Sequence, residues 1–367
     1  VTDVLELTTE MVAIPSHDSE TAAGDRIETW LREHTDAIVE RDQAGNVFAR
    51  RGEAGADRLA LVGHHDVVPP ADTQLAADDD GYSVTRRDGR LYGRGTADMK
   101  GAVAAAMCAF RDTDREGVVF ASFIGEEAGG VGARAAIENG FQPAYAVVGE
   151  GSTGYSAPGV TDVAIAHRGR RASTIHVDGT AAHASEPEAG TNAVYRAAAV
   201  VDEFQSLPAP ATTVLGHEMA GSLAVTEIEG GSAWNVIPAS CAITVDERTV
   251  PDHRAPLDRL TDRTGVNRAI DQDLPPMACA ESAFAEHVQS AAETAQERSP
   301  AQVIKPHATD AGWLAQAGTT CVVCGPAERG EAHTADESVS TAALRRAYRI
   351  YRSVIEKFDR VSTAPRS

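Results

Sequence analysis

His64, Asp66, Asp98, Glu126, Glu127, Glu150 and His333 are spread over most of the 367-residue chain, in the short runs GHHDVVP (63–69), YGRGTADMKG (92–101), IGEEAGG (124–130), VVGEGS (147–152) and EAHTADE (331–337). These are the residue types that a pair of divalent ions takes. Such a centre uses imidazole nitrogen and carboxylate oxygen, about five to seven ligands in all, one of them an anion able to bridge, with a position left open for water. His64, Asp98, Glu127, Glu150 and His333 supply that inventory. A water activated there also needs a proton acceptor that is not itself a ligand, and Glu126 stands directly before Glu127. Taken singly, each residue has a plainer role: a histidine after an apolar strand is commonly an edge residue, and a Glu-Glu pair is commonly solvated surface. The ordered set argues for a two-metal amidohydrolase.

Three apolar runs must position these groups. Leu59–Gly63 reads as a buried strand that ends at His64, Val118–Ile124 as a second that delivers Glu126 and Glu127, and Tyr145–Gly149 as a third that delivers Glu150. Ligands at the carboxyl ends of several strands are what an open α/β sheet offers, because its crevice lies there. Three strand ends are therefore expected on one rim.

With those runs in place, the chain resembles the acetylornithine deacetylase, succinyl-diaminopimelate desuccinylase and glutamate carboxypeptidase family of zinc hydrolases, from about residue 5 to about residue 355. The resemblance implies that His64 and Glu150 bind one metal, Glu127 and His333 bind the other, and Asp98 bridges them. It makes Asp66 the group that orients His64, and Glu126 the general base for a metal-bound hydroxide. A carboxylate behind a ligating imidazole fixes its tautomer and direction. The family usually carries Gly-Glu-Pro-Ser or Gly-Asp-Pro around the ligand, whereas this chain has Gly149-Glu150-Gly151-Ser152, a looser turn with the ligand kept. His65 is given no role, since strand alternation turns it away from its neighbours.

The implied fold is α/β: a catalytic domain with a mixed, largely parallel sheet flanked by helices, interrupted by a smaller α+β lid and dimerisation domain. The expected division is 1–168, then 169–277 for the lid, then 278–367. Between Arg168 and about Met277 the text alternates strands with two helix-like stretches, in the order Ser173–Asp178, Asn192–Phe204, Ser222–Glu229, Cys241–Glu247 and Pro256–Thr264. Within it, GTAAHASEPEAGTNAV (179–194) and GGSAWNVIP (230–238) resemble the family's lid motifs. That resemblance implies that His183 hydrogen-bonds the tetrahedral oxyanion across a dimer interface, and that Asn235 and Arg248 hold the substrate's carboxylate end. The plainer readings are a solvated strand-end charge for Arg248 and a turn-shaping role for Asn235. Thr309 and Asp310 precede a helix-like stretch from Ala311 to Ala317. They match a family segment near the site and equally suit an N-cap.

Composition sets the surroundings. The chain has 54 acidic against 33 basic residues, a net charge of −21, and its only lysines are Lys100, Lys305 and Lys357. Acid-rich, lysine-poor surfaces suit concentrated salt, which screens their repulsion, so a halophile's cytoplasm is the expectation. The charge argues against nucleic-acid binding. No run of 18 or more apolar residues and no basic-then-apolar leader is present, so no membrane contact is expected. Five cysteines imply no disulfide framework. TTCVVC reads as a buried strand rather than a metal knuckle, and Ser362 to Ser367 as a loose tail.

For substrate, GTADMKG (95–101) and HASEPEAGTNA (183–193) are closer to the deacetylase, while GRRAS (169–173) is similar to the desuccinylase's entry to the lid, where Arg170 and Arg171 could meet a succinyl carboxylate and tip the reading to the desuccinylase. The expected ions are two zinc, with cobalt or manganese able to serve. The expected reaction removes a succinyl or acetyl group from an amino acid in lysine or arginine biosynthesis. The alternative is a dipeptidase or carboxypeptidase of the same fold. A non-catalytic binding module would be expected to have lost the base or a ligand, and all are kept.

Overall fold

A computed structural model describes residues 3–52, 58–76 and 81–358, so the expected tail lies outside the described residues. The chain divides into two compact units, the first made of Val1–Ala166, Met277–Lys305 and Thr309–Ser367, the second of His167–Pro276 and Pro306–Ala308.

The first unit is built on a nine-stranded mixed sheet. Its middle is parallel: Leu59–His64 lies between Val118–Phe123 and Tyr145–Val148, and Thr320–Val323 continues beyond Tyr145–Val148 in the same direction. Ile38–Arg41 and Val47–Arg51 extend one side in antiparallel fashion, and Val163–His167 the other. Every residue of the Leu59–His64, Val118–Phe123, Tyr145–Val148 and Thr320–Val323 strands is buried, which is why they read as continuous apolar runs. Because the first three run parallel, their carboxyl ends share one rim, as the sequence led us to expect.

Strand alternation divides the contacts between the two faces. Ala60, Val62, Val119, Ala121 and Val148 pack with Ala133 and Ala136 of the helix Val131–Glu138 and with Ala311 and Leu314 of the helix Ala311–Gln316. Gly63 faces the other way, onto the helix Lys100–Arg111. A Cβ on Gly63 would lie 2.8 Å from Val103 Cγ2, so only glycine lets that helix approach. The helix is buried along nearly its whole length beneath Thr341–Glu356, whose apolar residues Leu344, Ala347, Ile350, Tyr351, Val354 and Ile355 recur at helical spacing. Ser340 caps the latter helix by accepting from the Ala343 amide. Thr320–Val323 is the buried strand expected of TTCVVC, and all five cysteines are buried and free.

The second unit is a four-stranded antiparallel sheet in the order Ser222–Gly230, Ser240–Arg248, Arg170–Asp178 and Val266–Leu274. The helix Ala193–Gln205, capped by Asn192, covers one face through Ala193, Ala197, Val200 and Phe204. Two details differ from expectation. The stretch 256–264 holds a 3-10 helix, Leu257–Asp262, rather than an α-helix: it buries only Leu257 and Leu260, three residues apart, which one tight turn places on the same face. Val266–Leu274 is a full strand that pattern reading did not find: its residues are mostly exposed, so it carries no period-2 apolar signal, and pairing with Arg170–Asp178 alone defines it. Among the described residues no helix is long and apolar enough to cross a membrane.

Candidate metal centre

His64 is the last residue of its strand, and its imidazole is 1% exposed. Its Nδ1 lies 3.1 Å from the Asp66 carbonyl oxygen and 3.3 Å from Asp66 Oδ1. That leaves Nε2 facing Asp98 Oδ1 at 3.1 Å and Glu150 Oε1 at 3.3 Å. The Asp66 carboxylate also accepts from the Glu126 and Glu127 amides, at 3.1 and 3.0 Å, so one side chain ties the exits of two neighbouring strands together. Glu127 Oε1 in turn lies 2.8 Å from His333 Nε2, which stands 3.1 Å from Asp98 Oδ2. Each oxygen of Asp98 therefore faces a different imidazole.

Two overlapping three-residue groups result, His64 with Asp98 and Glu150, and Asp98 with Glu127 and His333, each with its ligand atoms within 4.8 Å of one another. One shared carboxylate, nitrogen and oxygen donors, and three protein ligands per group fit two divalent ions that keep open positions. The first group is buried. The second opens toward solvent at His333, whose side chain is 50% exposed and whose backbone holds a left-handed φ of 65°.

Negative charge is in surplus here. Burial opposes ionisation of Asp98, but hydrogen bonds to His333 and His64 outweigh it and hold its carboxyl far below the ordinary range. Contact with Asp98 and then Glu127 pushes His333 up to about 10 in the metal-free protein. Burial drives Glu126 well above the usual range, against the pull of His64 and with the push of Asp310, Glu150 and Asp98. Burial likewise lifts Asp310 to about 8, and neither of its carboxyl oxygens has a hydrogen-bond partner.

The sequence did not single out Lys305, whose Nζ donates to Glu150 Oε2 at 2.9 Å in a pair with both side chains at most 10% exposed. Burial works against charge on this lysine, and the Glu150 carboxylate more than restores it. The sequence shows only that lysines are few, three in the chain; that Lys100 and Lys305 are buried appears in the structure alone. Glu337 and Arg94 were also passed over, although both lie inside the quoted runs. His65 Nδ1 lies 2.9 Å from Ser122 Oγ in the core, a partner that His64 does not share. Thr309 Oγ1 accepts from the Ala311 amide at 3.2 Å, whereas Asp310 makes no side-chain cap bond, so the N-cap role falls to the threonine.

In the second unit, His183 and Asn235 come together. Ala182–His183 pairs with Val236–Ile237, and the Ala184 amide donates to the Asn235 carbonyl at 3.0 Å. His183 is exposed, with Nδ1 2.6 Å from Ser185 Oγ. Gly179 allows a tight backbone approach, since a Cβ there would lie 2.2 Å from the Thr191 carbonyl oxygen. The arginines are each engaged by sheet neighbours. Arg248 Nε donates to Asp246 Oδ1 at 2.7 Å, Arg170 donates to Asp246 Oδ2 at 2.8 Å and to Gln272 at 3.1 Å, and Arg171 pairs with Asp273.

Residues 60–357 match the sequence profile described as peptidase family M20/M25/M40. Succinyl-diaminopimelate desuccinylase of Stenotrophomonas maltophilia (strain R551-3) is 28% identical, over 96% of this chain and 98% of the relative. Acetylornithine deacetylase of Myxococcus xanthus is 30% identical, over 86% of each. Among solved structures, the aminopeptidase PepT from Bacillus cereus ATCC 10987 superposes with a TM-score of 0.77 over 98% of each chain at 18% identity, a likeness of fold. With a profile match over most of its length and full-length relatives that hydrolyse N-acyl amino acids by name, this chain belongs to peptidase family M20/M25/M40 and is a hydrolase of amide bonds.

Proposed function

We propose that the chain is a two-zinc amidohydrolase that removes a small N-acyl group, succinyl or acetyl, from an amino acid of lysine or arginine biosynthesis. The observation that carries this reading is the single carboxylate of Asp98 shared between two three-residue groups, with Glu126 adjacent and outside both. Bound there by His64, Asp98, Glu127, Glu150 and His333, two divalent ions would supply Lewis-acid polarisation of the acyl carbonyl and an acidified water. Cobalt or manganese would suit the same donors.

The chain's own groups do the rest. Asp66 holds His64 by Nδ1 and so aims Nε2 at Asp98 and Glu150. Glu126 takes the proton of the attacking water and returns it to the leaving amine; burial and neighbouring carboxylates raise its proton affinity, as a base toward water requires. His183 and Asn235, brought together on one bridge of the second unit, are assigned to the oxyanion and to the substrate's carboxylate, with Arg248 and Thr309 as further substrate contacts. Arg248, Arg170 and Arg171 carry less of the substrate reading than their sequence suggested, because each is engaged by an acid of its own sheet. The choice between succinyl and acetyl is therefore even.

We also propose a homodimer through the second unit. Its support is the edge strand Ser222–Gly230, exposed along most of its length with Ile228 52% exposed, since an open edge invites pairing. Sedimentation at graded concentrations tests this; a monomer at all of them removes it. The surface charge supports a cytoplasm rich in salt.

The deciding assay is hydrolysis of N-succinyl-diaminopimelate, N-acetylornithine and a dipeptide panel by the zinc-loaded protein, in molar potassium chloride and in low salt. Preference for one acylated substrate assigns the pathway, and activity confined to high salt supports the halophilic setting. Cleavage of dipeptides alone replaces the acyl reading with a dipeptidase or carboxypeptidase and leaves the metal assignment intact.

A further inference from the structure

The bridging carboxylate needs its backbone held as firmly as its oxygens, and the structure has a device for it. Asp98 sits in the turn just before the helix Lys100–Arg111, whose N-cap residue, Met99, makes no side-chain cap bond. The amides of Ala97 and Asp98 instead donate to Glu337 Oε1, at 2.9 and 3.1 Å. The other oxygen of Glu337 accepts from Arg94 at 2.6 Å, and both side chains are almost wholly buried, Arg94 4% and Glu337 0% exposed. The Gly93 amide donates to the Glu337 carbonyl at 3.0 Å, so the turn and residue 337 are joined through backbone and side chain alike. A carboxylate at the start of a helix also gains from the helix dipole.

Glu337 lies four residues after His333, on a segment that Arg90 holds at both ends, donating to Glu328 at 2.8 Å and Glu331 at 2.6 Å on one side of His333 and to Ser338 Oγ at 2.9 Å on the other. His333 itself is half exposed and in left-handed backbone, and its ring meets Glu127 and Asp98 through Nε2. The segment's attachments hold the backbone that carries it.

We propose that Glu337, held by Arg94, is the positioning residue for Asp98 and His333, and that it sets how tightly the ion taken by Asp98, Glu127 and His333 is bound. This rests on the two-metal reading of the centre. The argument is geometric: one carboxylate accepts from the backbone of the shared ligand and stands on the same short segment as the solvent-facing ligand, so displacing it moves both at once. The ion between His64 and Glu150 depends on it less, because Asp66 and Lys305 hold those two ligands independently.

The test uses the full chain, stripped of metal and titrated with zinc against a competing chelator dye, with the melting temperature of the metal-free form measured alongside. Wild type is expected to take two ions. Glu337→Gln, which must turn a donor toward either Arg94 or the two amides, is expected to keep one ion and to bind the other about 10- to 100-fold more weakly. Because stranding a buried arginine could prevent folding, two charge-neutral pairs decide the matter. R94Q/E337Q keeps an acceptor for the Ala97 and Asp98 amides and is expected to bind both ions to within about 10-fold of wild type. R94M/E337L fills the space without an acceptor and is expected to lose the weaker ion selectively. Equal zinc binding by the two pairs, or unchanged binding by a folded Glu337→Gln, overturns the proposal. A wild type that takes fewer than two ions sinks the two-metal reading itself and is distinguishable on that ground.

Discussion

The acids of the first unit and the arginines of the second are all charged side chains gathered on sheets, yet their local charge balance is opposite. Arg170, Arg171 and Arg248 each have a carboxylate partner in Asp246 or Asp273. At the rim of the first unit, Asp66, Asp98, Glu126, Glu127 and Glu150 crowd around two imidazoles and one ammonium, that of Lys305. Burying carboxylates without equal positive charge is costly, so the cluster is stable in its ionised form only if cations arrive. A balanced set of charges can be scaffold; an unbalanced buried set is a site.

That contrast can be broken in four ways. Asp98→Ala removes the one ligand common to both groups, so turnover should fall to background and elemental analysis should find neither ion held after dialysis. Retention of both would end the bridging assignment. Glu126→Gln should lower kcat by about 10²- to 10⁴-fold with metal content unchanged, and full activity would refute the base. Lys305→Met leaves Glu150 buried without its ammonium and should cost the metal-free protein about 3–5 kcal/mol, measured by urea unfolding. Added zinc should recover part of that loss by binding the folded form. A loss below about 1 kcal/mol would place Lys305 with the exposed pairs of the second unit. Arg171→Ala should be smallest, within about 1 kcal/mol in stability and with little change in kcat/KM, because a partly exposed pair contributes little. A rise of tenfold or more in KM for the succinyl substrate alone would show that Arg171 leaves Asp273 for substrate, and would favour the desuccinylase.

Where contacts were local or strongly patterned, the sequence was legible. The helix Ala193–Gln205 follows an Asn cap and an apolar stripe, and the buried strands at the rim are unbroken apolar runs. Val266–Leu274 was illegible because both its faces are largely wet, which removes the alternation that marks a strand. That the arginines of GRRAS are engaged is not legible, because a sequence does not show that Asp246 and Asp273 lie across the sheet from them.

By itself the sequence determined which imidazoles and carboxylates are the candidate ligands, the proposed base beside them and the buried strands that end in them, since residue type and apolar periodicity are local properties of a chain. Only the tertiary structure decided which oxygen of Asp98 faces which histidine, that Lys305 holds Glu150 across 155 residues, and that Glu337 grips the Asp98 backbone across 239. The physical reason is that a buried polar atom must find a partner wherever folding delivers one, and a separation of that length leaves no periodicity in the sequence to announce it.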